Sequence, residues 1–268
     1  MLRSLRKLRK MKYTFMTDFD DTMTAGDTLA LLSECAYSIK PGFKPDWTFF
    51  GSAYMSDYTV FKQEFGPINS LEKRLEFQKQ LKPIEMASVH RVEQSNLYLG
   101  VSETGIRAQA HKVEFKDGWW EFARKLEGPI RVISVNWSDE FIRETFRAHN
   151  LTPGEVMANK VYMDELGRGT GKLSSEENPG IRTSDDKLQC LKQIMSSQDD
   201  GTKSVYCGDS STDLAALLAA DIGLIIGNEA TAELLEKYGK EVKRESKTLE
   251  QGLYYYDDWT EVPWRCMV

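Results

Sequence analysis

Tyr13-Thr14-Phe15-Met16-Thr17-Asp18-Phe19-Asp20-Asp21-Thr22 decides how this chain is read. Phe15 and Met16, set between threonines, read as a short buried strand. The strand breaks into three carboxylates within four positions, Asp18, Asp20 and Asp21. Acids packed this closely repel, and at least one pKa rises unless a cation or a donor compensates. A hard divalent cation answers that need, because Mg2+ takes oxygen ligands and keeps several waters. The same residues also read as an acidic turn in which Asp21 or Thr22 caps the following helix.

Working outward, a second strand-then-acid element appears at Ser204-Val205-Tyr206-Cys207-Gly208-Asp209-Ser210-Ser211-Thr212-Asp213. Gly208 permits a tight turn between the apolar run and the acids. Between the two elements lie Arg131-Val132-Ile133-Ser134, a strand ending in a hydroxyl, and Lys187, which opens a helical stretch. Ligands bind outside the carboxyl ends of the strands in an open parallel sheet. These four segments, far apart in sequence, are therefore expected to meet.

The ordered set DxDxT, strand-Ser, isolated Lys and GDxxxD resembles the four motifs of the haloacid dehalogenase superfamily of phosphatases. Within it, Ile133 to Ser138, Ser184 to Leu188 and Gly208 to Gly227 look like the phosphatase domain of plant thiamin monophosphate phosphatases. They are also similar to phosphoserine phosphatases and the methionine-salvage enolate phosphatases. In the plant proteins this domain is fused to a thiamin-related domain that has no counterpart here.

The resemblance implies roles. Asp18 would attack phosphorus and form an aspartyl-phosphate, and Asp20 would protonate the leaving alkoxide and then activate water. Asp18, the backbone carbonyl of Asp20 and Asp209 are the expected Mg2+ ligands. Ser134 and nearby backbone N–H groups, Val135 among them, would hold the phosphoryl oxygens, with Lys187 supplying fixed charge. Asp213 would orient Lys187 or a metal-bound water, and Thr22 and Asn136 stand behind these. An acid at position 20 points to a phosphatase or phosphomutase, since family dehalogenases lack it and ATP-driven pumps carry threonine there. A phosphotransferase using the same intermediate, and a catalytically silent binding protein keeping the fold, are the alternatives. The intact Asp18, Asp20, Lys187, Asp209 and Asp213 argue against the silent one.

Strand and helix patterns alternate from residue 116 onward, which indicates a doubly wound parallel sheet. Residues 13–25 and 116–268 are assigned to this Rossmann-like α/β core. Residues 26–115 read as helices: Leu29 to Ile39 capped by Asp27 or Thr28, Ser52 to Glu64, Leu71 to Leu81, and Ile84 to about Asn96. The stretch is expected to be an inserted helical cap that sets substrate choice. Phe49, Phe50, Tyr54 and Tyr58 would form its core or stack on a heteroaromatic substrate. Gly167 to Lys172 reads as the tip of a hairpin. It is not a nucleotide-binding loop, because Leu166 stands where the first glycine belongs. The aromatic tail, Tyr254 to Tyr256, Trp259 and Trp264, is expected to dock on the core or cover an interface, so a monomer and a homodimer both fit.

The net charge of -6 argues against a nucleic-acid partner, since phosphate backbones want a basic face. No stretch is long and apolar enough to span a membrane. The partner expected is a small phosphorylated metabolite. Cys35, Cys190, Cys207 and Cys266 form neither CxxC nor zinc spacing, which suits a reducing, cytoplasmic setting. His90, His111 and His149 are expected at the surface. Residues 1–12 are basic without an acid. They read as a tail, an extension upstream of Met11, or an organelle presequence that would place the protein in mitochondria.

Overall fold

The computed structural model describes residues 12–175, 177–263 and 265. The basic run up to Met11, Trp264 and Cys266 lie outside them.

The first strand, β1 (Tyr13–Thr17), ends one residue before Asp18. Four helices follow: α1 (Leu29–Ser38), α2 (Trp47–Phe65), α3 (Leu71–Gln80) and α4 (Lys82–Gln94). The second of these begins five residues earlier than expected and takes in Trp47, Phe49 and Phe50. Thr28 stands at the N-cap position of α1 but makes no capping bond. A short strand the pattern did not announce, β2 (Leu99–Ser102), precedes α5 (Glu103–Ala110). The two ends of this long stretch are stitched together. Thr24 and Phe115 form an antiparallel bridge, flanked by Ala25 N–H to Glu114 O and Lys116 N–H to Met23 O.

The chain continues through α6 (Trp119–Lys125), β3 (Arg131–Ile133), α7 (Asp139–Ala148) and β4 (Val156–Met157). Residues 160–163 do not extend β4. Tyr162 and Met163 pair with β5 (Arg168–Thr170), so the hairpin tip is at 164–167 and the glycine-rich run is one of its arms. That arm pairs with β2. Then come α8 (Ser184–Ser196), β6 (Lys203–Gly208), α9 (Leu214–Ala219), β7 (Ile222–Ile226), α10 (Glu229–Lys237), β8 (Val242–Arg244) and β9 (Gly252–Tyr256). Thr183 closes the start of α8 with a capping box. Its hydroxyl takes the Asp186 N–H, and the Asp186 carboxylate takes the Thr183 N–H.

Seven strands form one sheet in the order β4-β3-β1-β6-β7-β9-β8, every pair parallel. The central strands are buried on both faces, as a parallel sheet covered by helices requires. Side chains alternate between two cores. Val205 and Cys207 enter one core with Phe15, Trp119 and Phe141, while Tyr206 enters the other with Met16, Leu191 and Leu217. The strand order reverses at β1, with β3 on one side and β6 on the other, so the ligand crevice falls beyond its carboxyl end.

The aromatic tail is more than a docked cover. Tyr254 to Tyr256 belong to β9 inside the sheet, and Trp259 is buried against Trp119 and Phe122. Of the histidines, His90 and His111 are exposed, but His149 is half-buried and stacks on Trp120 at 3.9 Å between ring centroids.

Candidate active site

Asp18 extends the β1–β6 ladder by one bond, its N–H donating to Cys207 O at 2.8 Å. This fixes the carboxylate at the strand end, where it is 4% exposed. One oxygen accepts from Phe19 N–H at 2.7 Å and the other meets Lys187 Nζ at 2.5 Å. Lys187 comes from the first turn of α8, is wholly buried, and also reaches Asp213 at 2.8 Å. Burial works against the Lys187 ammonium, but the charges of Asp18 and Asp213 outweigh it and hold its pKa above the usual value.

Asp213 is saturated. Lys187 and the Tyr206 hydroxyl donate to one oxygen, while Asp209 N–H, Ser210 N–H and the Ser210 hydroxyl reach the other. Burial opposes its ionisation, yet Lys187 and these donors hold its pKa below the ordinary value. The turn needs Gly208, since a Cβ there would lie 2.4 Å from Asp213 Cγ.

Asp209 lies across from Asp18. Thr22, buried and no helix cap, donates its hydroxyl to Asp209 Oδ1 at 2.8 Å. The Asp209 carbonyl accepts from Thr231 at 2.6 Å. Burial, then the charge of Asp213, pushes Asp209 up to about 7. The same two causes raise Asp18, against the pull of Lys187. Oxygens of Asp18, Asp209 and Asp213 all lie within 4.8 Å of one another. Three acids thus face one buried lysine, and a hard cation fits this oxygen set. Since the oxygens of Asp213 are already taken, Asp18 and Asp209 are the carboxylates left to hold it.

Asp20 stands apart from that trio. Its carboxylate accepts from Thr28 N–H at 2.8 Å, the Thr28 hydroxyl at 2.5 Å and Asn136 Nδ2 at 2.9 Å. Burial first, and then Asp27, pushes its pKa up to about 6 in spite of those donors. Ser134 is wholly buried, with its N–H in the sheet to Met157 O and its hydroxyl accepting from Asn136 N–H. The Asn136 side chain donates from Nδ2 to Asp20 and Thr28 and accepts from Ser138 N–H at Oδ1, while Val135 is half-buried beside it.

Several groups in this network were not foreseen. Thr28 carried only a capping signal, Tyr206 read as part of an apolar strand, Thr231 carried no signal of its own, and Trp259 donates its indole N–H to Thr22 O from the far end of the chain.

Beside the crevice lies a cavity of about 420 Å³. Asp27, Val135 and Thr212, sequence neighbours of Thr28, Ser134 and Asp213, line one part of it. Trp47, Phe50 and Tyr54 of α2 and Glu85 of α4 line another. Of the other α2 aromatics, Phe49 is 48% exposed and Tyr58 packs on Phe77 while lining a smaller adjoining cavity.

A family model described as haloacid dehalogenase-like hydrolase matches residues 15–218. Cold tolerance protein 1 of Saccharomyces cerevisiae is 26% identical over 248 residues, covering 78% of this chain and 76% of that protein. The Bifunctional TH2 protein, mitochondrial, of Arabidopsis thaliana is 24% identical over 260 residues, which cover 85% of this chain but 41% of that longer protein. A phosphoserine phosphohydrolase-like protein from Francisella tularensis has a TM-score of 0.54 at 15% identity, covering 94% of this chain and 97% of that one. At that identity the likeness speaks for the fold alone. Among the described residues no helix is long and apolar enough to cross a membrane.

Proposed function

The chain belongs to the haloacid dehalogenase-like hydrolase family, and from that premise we propose that it is a Mg2+-dependent phosphomonoesterase acting through an aspartyl-phosphate on a small phosphorylated metabolite. The observation that carries the reading is the division between two neighbouring acids. Asp18 is set against Lys187 at the strand end, while Asp20 is held separately by the Thr28 N–H and hydroxyl and by Asn136. Environments that separate two carboxyl groups in this way assign them different work.

An Asp18 oxygen attacks phosphorus and the bond from phosphorus to the alcohol oxygen breaks, with Asp20 giving that oxygen its proton. Asp20, now a carboxylate, takes a proton from water as the water attacks phosphorus. The Asp18–phosphorus bond breaks, inorganic phosphate leaves and Asp18 is restored. Lys187 holds positive charge beside the reacting oxygens throughout, and Ser134 with the N–H of Val135 faces the phosphoryl group. Asp18, Asp209 and the Asp20 carbonyl would hold Mg2+, which would supply positive charge beside that of Lys187 and so favour the ionised Asp18 and screen it from the phosphate.

Residues 26–115 act as the cap in this reading, with α2 and α4 as its part facing the alcohol. The site takes a small metabolite rather than nucleic acid or a membrane. Its setting is the cytoplasm if residues 1–12 stay attached as a tail, and the mitochondrion if they act as a presequence.

The test is phosphate release from a panel including thiamin monophosphate, phosphoserine, sugar phosphates and p-nitrophenyl phosphate, with Mg2+ and with EDTA. Release should require the metal. Asp18→Asn should lower kcat by about 10⁴-fold while the thermal midpoint stays near that of the wild type. Equal turnover in the variant would overturn the assignment.

A further inference from the structure

Trp259 lies beyond residue 218, where the family match ends, yet its side chain reaches the loop that carries the acids. Its indole Nε1–H donates to Thr22 O at 2.9 Å. Thr22 is wholly buried and donates its hydroxyl to Asp209 Oδ1 at 2.8 Å. Two hydrogen bonds thus lead from the tail to a carboxylate of the crevice. The residue before Thr22, Asp21, stands at φ 55°, in the left-handed region. A residue with a side chain keeps that backbone only where its surroundings impose it. A donor fixed on the next carbonyl is one such constraint.

The indole is itself fixed by packing. It is 1% exposed and lies 4.7 Å from Trp119, 4.8 Å from Phe122 and 6.3 Å from Phe15, centroid to centroid. The backbone around it is pinned as well. Trp259 N–H donates to Asp117 O at 3.1 Å, and Tyr256 O accepts from Gly227 N–H at 2.8 Å. Gly118, at φ 78°, leaves the room the tail needs, since a Cβ there would lie 2.6 Å from Thr260 N. For the cluster, any large ring would serve, whereas the loop receives the N–H. Trp119 makes the contrast. It is as buried and belongs to the same cluster, but among the described residues its Nε1 has no hydrogen-bond partner. A buried carbonyl stripped of its donor is costly, so the Thr22 peptide would shift without Trp259, and the Thr22 hydroxyl would carry that shift to Asp209.

We infer that Trp259 is a positioning residue: its indole N–H sets the Thr22 peptide, and through the Thr22 hydroxyl it holds one oxygen of Asp209 so that the other is presented to a divalent cation. The identity of that cation rests on the phosphatase reading above.

The experiment measures Mg2+ binding to the full chain by calorimetry, with the thermal midpoint of each variant recorded without metal. Trp259→Phe should raise the Mg2+ Kd about fivefold, the worth of one lost hydrogen bond. Trp119→Phe removes the same volume from the same cluster and should leave Kd within about twofold of the wild type. Thr22→Val cuts the path at its other end without touching the rings, and should also raise Kd about fivefold. Because both changes act on one path, Trp259→Phe combined with Thr22→Val should bind within about twofold of Thr22→Val alone, where independent effects would multiply. Equal weakening by Trp119→Phe and Trp259→Phe, multiplied effects in the double variant, or an unchanged Kd in Trp259→Phe overturns the inference. An unchanged Kd in Thr22→Val does so too, and decides the matter if Trp259→Phe fails to fold. Phosphate release separates this inference from the activity. Mg2+ binding that depends on Trp259 without release of phosphate keeps the positioning role and sinks the phosphatase. Metal-dependent release with a Kd indifferent to Trp259 does the reverse.

Discussion

The crevice at the strand ends ties Asp213 and Lys187 into one network, whereas the cavity under α2 and α4 has fewer bonds among its polar groups. Asp213 has a donor or a cation on both oxygens, and Lys187 touches two carboxylates. Among the described residues, Glu85 has one neutral donor and Arg182 keeps a buried nitrogen without a hydrogen-bond partner. A satisfied buried network is rigid and holds reacting groups in one geometry.

The comparison breaks most sharply at Lys187. Lys187→Met leaves Asp18 and Asp213 uncompensated, and chemical unfolding should report a loss of about 3–5 kcal/mol. A loss below about 1 kcal/mol would mean that the network does not hold the crevice together. Next comes Gly208→Ala, where the added Cβ meets Asp213. It should cost about 1–3 kcal/mol of stability by the same measurement and lower turnover by displacing the Lys187 partner. Wild-type turnover would show that the turn yields freely.

The cavity should answer differently. Trp47→Ala removes an aromatic wall without touching the crevice. It should raise KM by about fivefold, equivalent to about 1 kcal/mol, with kcat and thermal midpoint nearly unchanged. A fall in kcat with KM constant would show that the two regions are not separable.

The smallest effect lies away from both, at Asp221. Burial opposes its ionisation, but Lys203 and the N–H and hydroxyl of Ser204 outweigh it and lower its pKa. A carboxylate lowered on folding adds stability above its unfolded pKa, near 3.8, and that stability is lost as pH falls through the lower folded value. Asp221→Asn should therefore cost about 1 kcal/mol at neutral pH and nothing once both forms are protonated. A cost that persists unchanged at acid pH would assign the effect to packing.

Much of the crevice was legible because its groups sit at strand ends. An apolar run closing in Asp18, Ser134 or Asp209 announces both the strand and what stands at its carboxyl end. Lys187 was legible only through its order among the others. Asp20 was read as the general acid and base with its backbone carbonyl toward the metal, and the partners that hold its carboxylate, Thr28 and Asn136, were not foreseen because they lie eight residues and more away. Thr28 was taken for a cap, since local spacing cannot distinguish a hydroxyl that closes its own helix from one that reaches back eight residues. The strands β8 and β9 were missed because they are short and charged or aromatic. The tyrosines become a strand only where β7 offers an edge.

By itself, then, the sequence determined the parallel α/β core, the helical stretch between residues 26 and 115, and the set of acids, hydroxyl and lysine gathered at one crevice. Periodicity and strand-end chemistry are local, and they survive without knowledge of what packs against them. Only the tertiary structure decided which oxygen each donor serves, how Trp259 reaches the loop of Thr22, and that Glu85 stands with aromatic walls around it. Those facts depend on atoms brought within a few ångströms from distant parts of the chain, and burial gives each pairing its energy.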